Sequence, residues 1–293
     1  MSELVLSPDD VGFDDDVATG VSRRRASWLI RAALLVVGVV SVTAVLGRWI
    51  TPHDPFALNV TQVLWRPDST HWLGTDALGR DVFSRLIIGA RTALLGPLVV
   101  AFGSMLIGNA LGLLAGYRGG WIDAVIMRWV DLMWAVPNLL VVIIVAGVVN
   151  GGYWLAVVML MIFNVPSDTR VSRGATLEQV PRPYVEAART LGFPRRRIMF
   201  VHIWPNISAI SVANAFVHFS GALVALSSLS FLGLGAGPGA PDWGVMLTEA
   251  RPLLFANPVA ALAPAGAIVF TAASMNLVGD WLYERLSLRG AVR

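Results

Sequence analysis

Histidine and carboxylate are the side chains with which this chain could do chemistry, and the sequence scatters them. His53, His71, His202 and His218 stand far apart. There is no His-Glu-x-x-His run and no Gly-x-Ser-x-Gly elbow, the spacings that place a zinc pair or a nucleophile on one element. Asp131 and Asp280 are the two carboxylates that could serve an intramembrane aspartyl pair, and both belong to the edges of apolar runs. Gly233, Gly235, Gly237 and Gly239 are spaced like a phosphate loop but lack a strand before them and a helix after them. All 22 basic residues are arginine. Without lysine the chain can build neither a P-loop nor a Schiff base. Without cysteine it has no disulfide, thiolate metal site or thiol nucleophile. These absences argue against an enzyme, and no metal site is expected.

The elements that carry these residues are membrane spans. Hydrophobic residues make up 56% of the chain and charged residues 14%, against about 25% charged in a soluble domain. The mean hydropathy is +0.67. A span needs about 20 mostly apolar residues, and the charge-poor runs predict six: Trp28–Ile50, Thr92–Tyr117, two within Leu132–Ser167 divided at Asn150-Gly151-Gly152, one from Pro205-Asn206 to Leu232, and one in Pro258–Asp280. Residues 1–27 begin acidic, with Glu3, Asp9, Asp10, Asp14, Asp15 and Asp16, and end in Arg23-Arg24-Arg25. They read as a disordered tail with no cleavage site for a signal peptide.

Arginine sets the orientation, because cytoplasmic loops collect basic residues. Arg23 to Arg25 and Arg285, Arg289 and Arg293 place both termini inside, and residues 168–205 form the most arginine-rich loop. The pI near 9.9 comes from these loops, so nucleic acid is not an expected partner. Within the loop, Tyr184, Ala187, Ala188 and Leu191 recur at helical spacing. Gly192 sits where a left-handed helix stop belongs, and Pro194 opens a second short helix. The loop reads as a cytoplasmic helical hairpin followed by Pro205.

These residues resemble the coupling loop of permease subunits of binding-protein-dependent ABC importers. Glu186-Ala187-Ala188, then Gly192, then Pro205 keep that family's spacings. The family pattern ends Ile-x-Leu-Pro, whereas this chain reads His202-Ile203-Trp204-Pro205. The run from His71 through Gly74-Thr75-Asp76 and Gly79-Arg80-Asp81 to Arg91 is similar to the segment before the second span of the C-type permeases of dipeptide, oligopeptide and nickel importers. Ser230-Phe231-Leu232-Gly233-Leu234-Gly235 with Pro241-Asp242-Trp243-Gly244, and Asn276-Leu277-Val278-Gly279-Asp280, match the same branch. The resemblance covers residues 52–286 and weakens at Ser287-Leu288, where the family often has Asp-Pro.

The resemblance implies an all-α membrane protein of the type I importer permease fold. Its first helix, 28–50, is additional; the outer segment is 51–91, the core 92–283, and the cytoplasmic end 284–293. It implies import of di- or oligopeptides across the bacterial plasma membrane, with nickel chelates or glutathione-like compounds as alternative substrates. Its partners would be a homologous B-type permease, two ATPases that hold the ATP and Mg²⁺, and an extracytoplasmic binding protein; this chain would hold no cofactor. Glu186, Ala187, Ala188, Gly192 and Pro205 would engage the ATPase. Asp76, Arg80, Asp81, Asp242 and Trp243 form either local Asp–Arg pairs in a compact turn structure or a docking surface for the binding protein. Asn138, Asn164, Asn214, His218 and Asn276 lie in apolar surroundings, as helix–helix contacts or as pathway lining. Asp131 is expected to pair with Arg128. The rival of a different class is an ion-coupled carrier, which needs an ionisable group deep in the membrane.

Overall fold

The computed structural model describes residues 15–149 and 151–291. The acidic stretch up to Asp14, the turn residue Asn150 and the terminal Arg293 lie outside the described residues. Helix α1 runs Asp15–Ile50. Its backbone is already helical over the second half of the predicted tail, because extending an existing helix costs far less than nucleating one.

Helix α2, Val82–Arg118, is the central element. It begins ten residues before the predicted Thr92, on the far side of Arg91: Asp81 caps it at the Ser84 N–H, and Arg85 is paired and buried inside its first turns. Helices α3, Gly120–Trp134, and α4, Asn138–Val149, meet at a 71° bend around Pro137. The third span was expected to start at Leu132. It starts instead at Gly120 and is broken, with Asp123, Arg128 and Asp131 on its first half. Helix α5, Gly152–Gln179, runs well past the predicted end at Ser167. Among the described residues, five helices are long and apolar enough to cross a membrane, and counting the α3–α4 pair as one span makes six.

After α5 come α6, Pro183–Thr190, and the single turn α7, Arg195–Arg197. A wide π-helical turn, Ile198–Ile203, then enters α8, Trp204–Phe231. Pro205 has no N–H for the carbonyl four residues back, so the helix reaches it through the looser turn. Helix α9, Trp243–Ala250, is a short helix before α10, Val259–Ala291.

Three apolar cores divide the bundle. One joins α2, α8, α9 and α10 around Leu94, Phe219, Leu223 and Trp243. A second joins α2, α4, α5 and α8 around Val100, Val142, Val157 and Leu229. The third lies under the α6–α7 hairpin. Helices α2 and α5 touch along Gly108, Gly112 and Gly116, where a Cβ would strike Asp168, Ser172 and Thr176. Small residues four apart let two membrane helices approach at backbone distance. Two ion pairs tie α3 to α5: Arg173 Nη2 to Asp123 at 2.6 Å, and Arg170 Nη2 to Asp131 at 2.6 Å. Asp131 therefore does not take Arg128 as its partner, because the longer α5 brings Arg170 to it.

Candidate functional site

The hairpin at the C-terminal end of α2 is built from backbone geometry first. Pro183 opens α6, where a missing N–H costs nothing. Gly192 closes it with φ +75°. The Gly192 N–H donates to the Arg189 carbonyl at 3.0 Å, and the Phe193 N–H to the Ala188 carbonyl at 3.2 Å. That crossed pair is the Schellman stop, which requires a left-handed residue at its centre. The predicted role of Gly192 thus has an observed geometry.

Burial then sorts the side chains. Val185 and Ala188 face inward onto Leu113, Ile198, Met199, Ile203 and Ile207. Tyr184, Glu186, Ala187 and Leu191 face outward, with Leu191 72% exposed. The predicted common face of Tyr184, Ala187, Ala188 and Leu191 is therefore split. The hairpin leans on α2, so Ala188 is spent on seating it and Ala187 stays free. Pro205 is exposed at the start of α8. Arg195, Arg196 and Arg197 are also exposed. The Arg197 guanidinium lies 4.4 Å from the Phe193 ring, and that of Arg189 5.2 Å from the Tyr117 ring. Glu186 makes no ion pair among the described residues. Tyr184 donates to Gln179 Oε1 at 2.8 Å, and partial burial pushes its phenol up from the ordinary value.

Within the bundle, α5 and α8 bring Asp168, Asn214 and His218 together. Asn214 Nδ2 donates to Asp168 Oδ1 at 2.6 Å, and His218 Nε2 stands 3.4 Å from the same oxygen. Asp168 is 2% exposed, and its Oδ2 is buried without a partner. Sequence reasoning missed Asp168 because it took the carboxylate as the end of the apolar run. The Gly108, Gly112, Gly116 spacing was the signal that α2 had a close partner reaching this far. Asn164 Nδ2 bonds its own helix at the Leu160 carbonyl, 2.8 Å away. Asn138 Nδ2 reaches the Phe163 carbonyl at 3.4 Å, which ties the α4 start to α5. Asn276 is exposed on α10, with no hydrogen bond to the Asp168 group.

At the opposite end of α2 the charges are consumed internally. Asp76 accepts from the Leu78 and Arg80 N–H groups and from Arg80 Nε at 2.6 Å. Arg80 Nη2 and Arg85 Nη2 both reach Glu249 Oε2, at 2.7 and 2.8 Å. Glu249 Oε1 in turn accepts from the Gly239 N–H. Asp81 caps α2 at the Ser84 N–H, and Asp242 caps α9 at the Gly244 and Val245 N–H groups. Trp243 Nε1 donates to the Leu86 carbonyl at 2.9 Å. All five residues of the alternative docking surface, Asp76, Arg80, Asp81, Asp242 and Trp243, are buried. Arg80 and Trp243 tie residues 51–91 and the start of α2 to α9 and the loop before it. Asp76 and Arg80 form a local Asp–Arg pair, enlarged by Glu249.

Known proteins agree with this architecture. Residues 108–290 match the model of the family described as binding-protein-dependent transport system inner membrane component. The glutathione transport system permease protein GsiD of Pectobacterium atrosepticum is 38% identical over 262 residues, covering 88% of this chain and 85% of that protein. GsiD of Escherichia coli is 38% identical over 264 residues, covering 90% and 87%. In solved structures, a chain of the inward-facing MetNI methionine ABC transporter aligns at TM-score 0.58 and 18% identity, over 70% of this chain and 97% of that one. At that identity the match speaks to the fold alone, and the fold is the methionine-permease type with α1 added. Matched over most of its length by family and relatives alike, the chain belongs to the binding-protein-dependent inner-membrane components, the multi-pass permease subunits of ABC importers.

Proposed function

We propose that this permease imports small peptides of the glutathione type and is driven through the α6–α7 hairpin by separate ATPase subunits. The hairpin carries the reading. It is a rigid, Schellman-closed helix seated on the end of α2, with Glu186, Ala187 and Leu191 left uncovered beside three exposed arginines. A groove in an ATPase that accepts this face would convert its own closure into movement of α6. Val185, Ala188 and Ile198 would pass that movement to Leu113 of α2 and Ile207 of α8. The ATP and Mg²⁺ belong to those subunits. A homologous permease and an extracytoplasmic binding protein complete the assembly, and both termini lie on the cytoplasmic side with the hairpin.

The 38% identity to two glutathione permeases supports a glutathione-like substrate over nickel chelates. Asn214 and His218 on α8, held by Asp168 on α5, supply polar groups for such a solute, and Asn138 and Asn164 add others along α4 and α5. The test is reconstitution in liposomes. Uptake of labelled glutathione or dipeptide is expected only with the full complex, the binding protein and internal ATP. Uptake by this chain alone under a proton or sodium gradient would overturn the reading in favour of an ion-coupled carrier. Because the chain is free of cysteine, Ala187→Cys gives a single thiol on the exposed face. It should cross-link to a thiol placed in the ATPase groove with a yield that changes with ATP. The cysteine of Ala188→Cys should not, since that position is turned inward.

A further inference from the structure

The histidines that the sequence scatters do not all stay apart. His53 follows α1, His71 lies in the middle of the outer segment, and Asp81 caps α2. The fold draws one donor atom of each to within 4.8 Å of the others. His71 Nδ1 is 2.9 Å from Asp81 Oδ1, and His53 Nδ1 is 3.8 Å from Asp81 Oδ2. The two imidazole rings lie with centroids 4.7 Å apart at 35°. His71 and Asp81 are buried. His53 is 35% exposed at its side chain, yet its Nδ1 is buried without any hydrogen-bond partner.

We propose that His53, His71 and Asp81 form a site for a divalent transition-metal ion, zinc being the best fit. Zinc binds nitrogen and carboxylate oxygen at about 2.0–2.2 Å, so tetrahedral ligands stand roughly 3.3–3.5 Å apart. The two observed separations bracket that spacing. Two imidazoles and one carboxylate, with no sulfur, suit zinc or nickel. Calcium and magnesium want more oxygens. Three protein ligands leave the fourth position for water, on the side where His53 is open to solvent.

A plain His–Asp hydrogen bond explains His71 and Asp81 and leaves His53 unexplained. Its unpartnered nitrogen points at a carboxylate that is already engaged by His71 and by the Ser84 N–H. The loop is set for the arrangement. The His53 N–H donates to Ser84 Oγ, and the His71 N–H to Asp68 Oδ1. An ion here would pin the chain leaving α1 to the start of α2, at the end of α2 opposite the hairpin. The inference does not depend on the transported substrate.

The experiment uses the full-length chain, purified in detergent with a tag that contains no histidine and stripped with a chelator. Titration with zinc chloride, followed by dialysis and elemental analysis, should give one zinc per chain. Cobalt should show the visible absorption of a tetrahedral N/O site. His53→Phe should weaken zinc binding by about ten-fold or more and abolish the zinc-dependent rise in melting temperature, while melting without zinc stays as in the parent. His53→Gln serves as a second variant should the phenyl ring disturb the loop. Failure of the parent chain to take up stoichiometric zinc at micromolar concentration overturns the site. Equal binding by both His53 variants does the same.

Discussion

At the N-terminal end of α2, Arg85 is 1% exposed and shares Glu249 with Arg80. At the C-terminal end, Arg195, Arg196 and Arg197 stand in the open and Glu186 makes no ion pair among the described residues. The same residue types are fully engaged at one end and unengaged at the other. A buried charge must be paired within the fold, because an unpaired one is too costly to keep. An exposed charge can be held free for a partner. The N-terminal end of α2 therefore behaves as a clamp whose charges serve stability, and the hairpin leaves its charges free for the association proposed for it.

That comparison breaks first if Arg85 can be removed harmlessly. Arg85→Leu leaves Glu249 with one guanidinium and strips the Gly239 and Ala240 carbonyls of a donor. Losing one partner from a buried pair costs about 3–5 kcal/mol, a large part of the stability of a typical domain. The variant should be depleted from the membrane fraction or melt far below the parent. Replacing Arg195, Arg196 and Arg197 together by Gln should leave melting unchanged. Its effect should appear instead as weaker capture of the ATPase subunits, stronger at low salt than at high. Equal melting losses in the two variants would erase the distinction.

Gly192 sharpens the hairpin side. No side chain would clash there, since nothing lies within 4 Å of a Cβ. The penalty is confined to φ. A left-handed conformation costs an L-residue about 1–2 kcal/mol, and about 1.4 kcal/mol is ten-fold in a population. Gly192→Val should keep its place in the membrane but lose most ATP-driven uptake. Gly192→Asn, which tolerates φ > 0, should recover a large share of it. Full uptake by the valine variant would remove Gly192 from the coupling argument.

Asp168 provides a smaller test in the middle of the bundle. Asp168→Ala takes the acceptor from Asn214, and leaving a buried donor unsatisfied costs about 1–3 kcal/mol. Asp168→Asn keeps the shape and one acceptor, so it should melt near the parent. If uptake of a zwitterionic peptide falls in the Asn variant without loss of melting temperature, the carboxylate acts on the solute. If only the Ala variant changes, in melting, the residue is a helix–helix contact.

These cases also mark what the sequence made legible. The hairpin was readable because its stop is local: one glycine, the helix before it and the proline after it. Its inward and outward faces were not, since α2 decides whether Ala187 or Ala188 is covered. Spans were readable as apolar runs, and their ends were misplaced wherever a charge is satisfied by another helix. Asp131 and Asp168 each lie inside a helix that runs past the charge at the edge of the apolar run, and α2 likewise runs back past Arg91 to Val82. The fate of Arg80 and Arg85 depends on Glu249, which lies far away in the sequence. The pairing of His53 with His71 is equally non-local, set by where α1 delivers the chain.

The smallest expected effect tests the scaffold of the outer segment. Asp68 accepts N–H groups from Thr70 at 2.8 Å and His71 at 2.6 Å. The His71 N–H, then that of Thr70, hold its carboxyl below the ordinary value. A carboxylate whose folded pKa is depressed stabilises the fold above its unfolded pKa, about 3.9. That contribution is lost as pH falls through the folded value. The group is fully exposed to solvent, so the effect is expected to be near the limit of detection. Asp68→Asn keeps an acceptor but removes the charge. Its melting temperature should lie slightly below that of the parent at pH 6, and the gap should narrow at pH 3, below the unfolded pKa, where the charge no longer contributes in full. A gap that persists unchanged at pH 3 would mean that the side chain acts through shape and neutral hydrogen bonding, and that charge contributes nothing to this turn. A gap confined to the zinc-loaded protein would instead mean that Asp68 matters by steadying His71, which makes the same variant a check on the outer clamp and on the metal site it encloses.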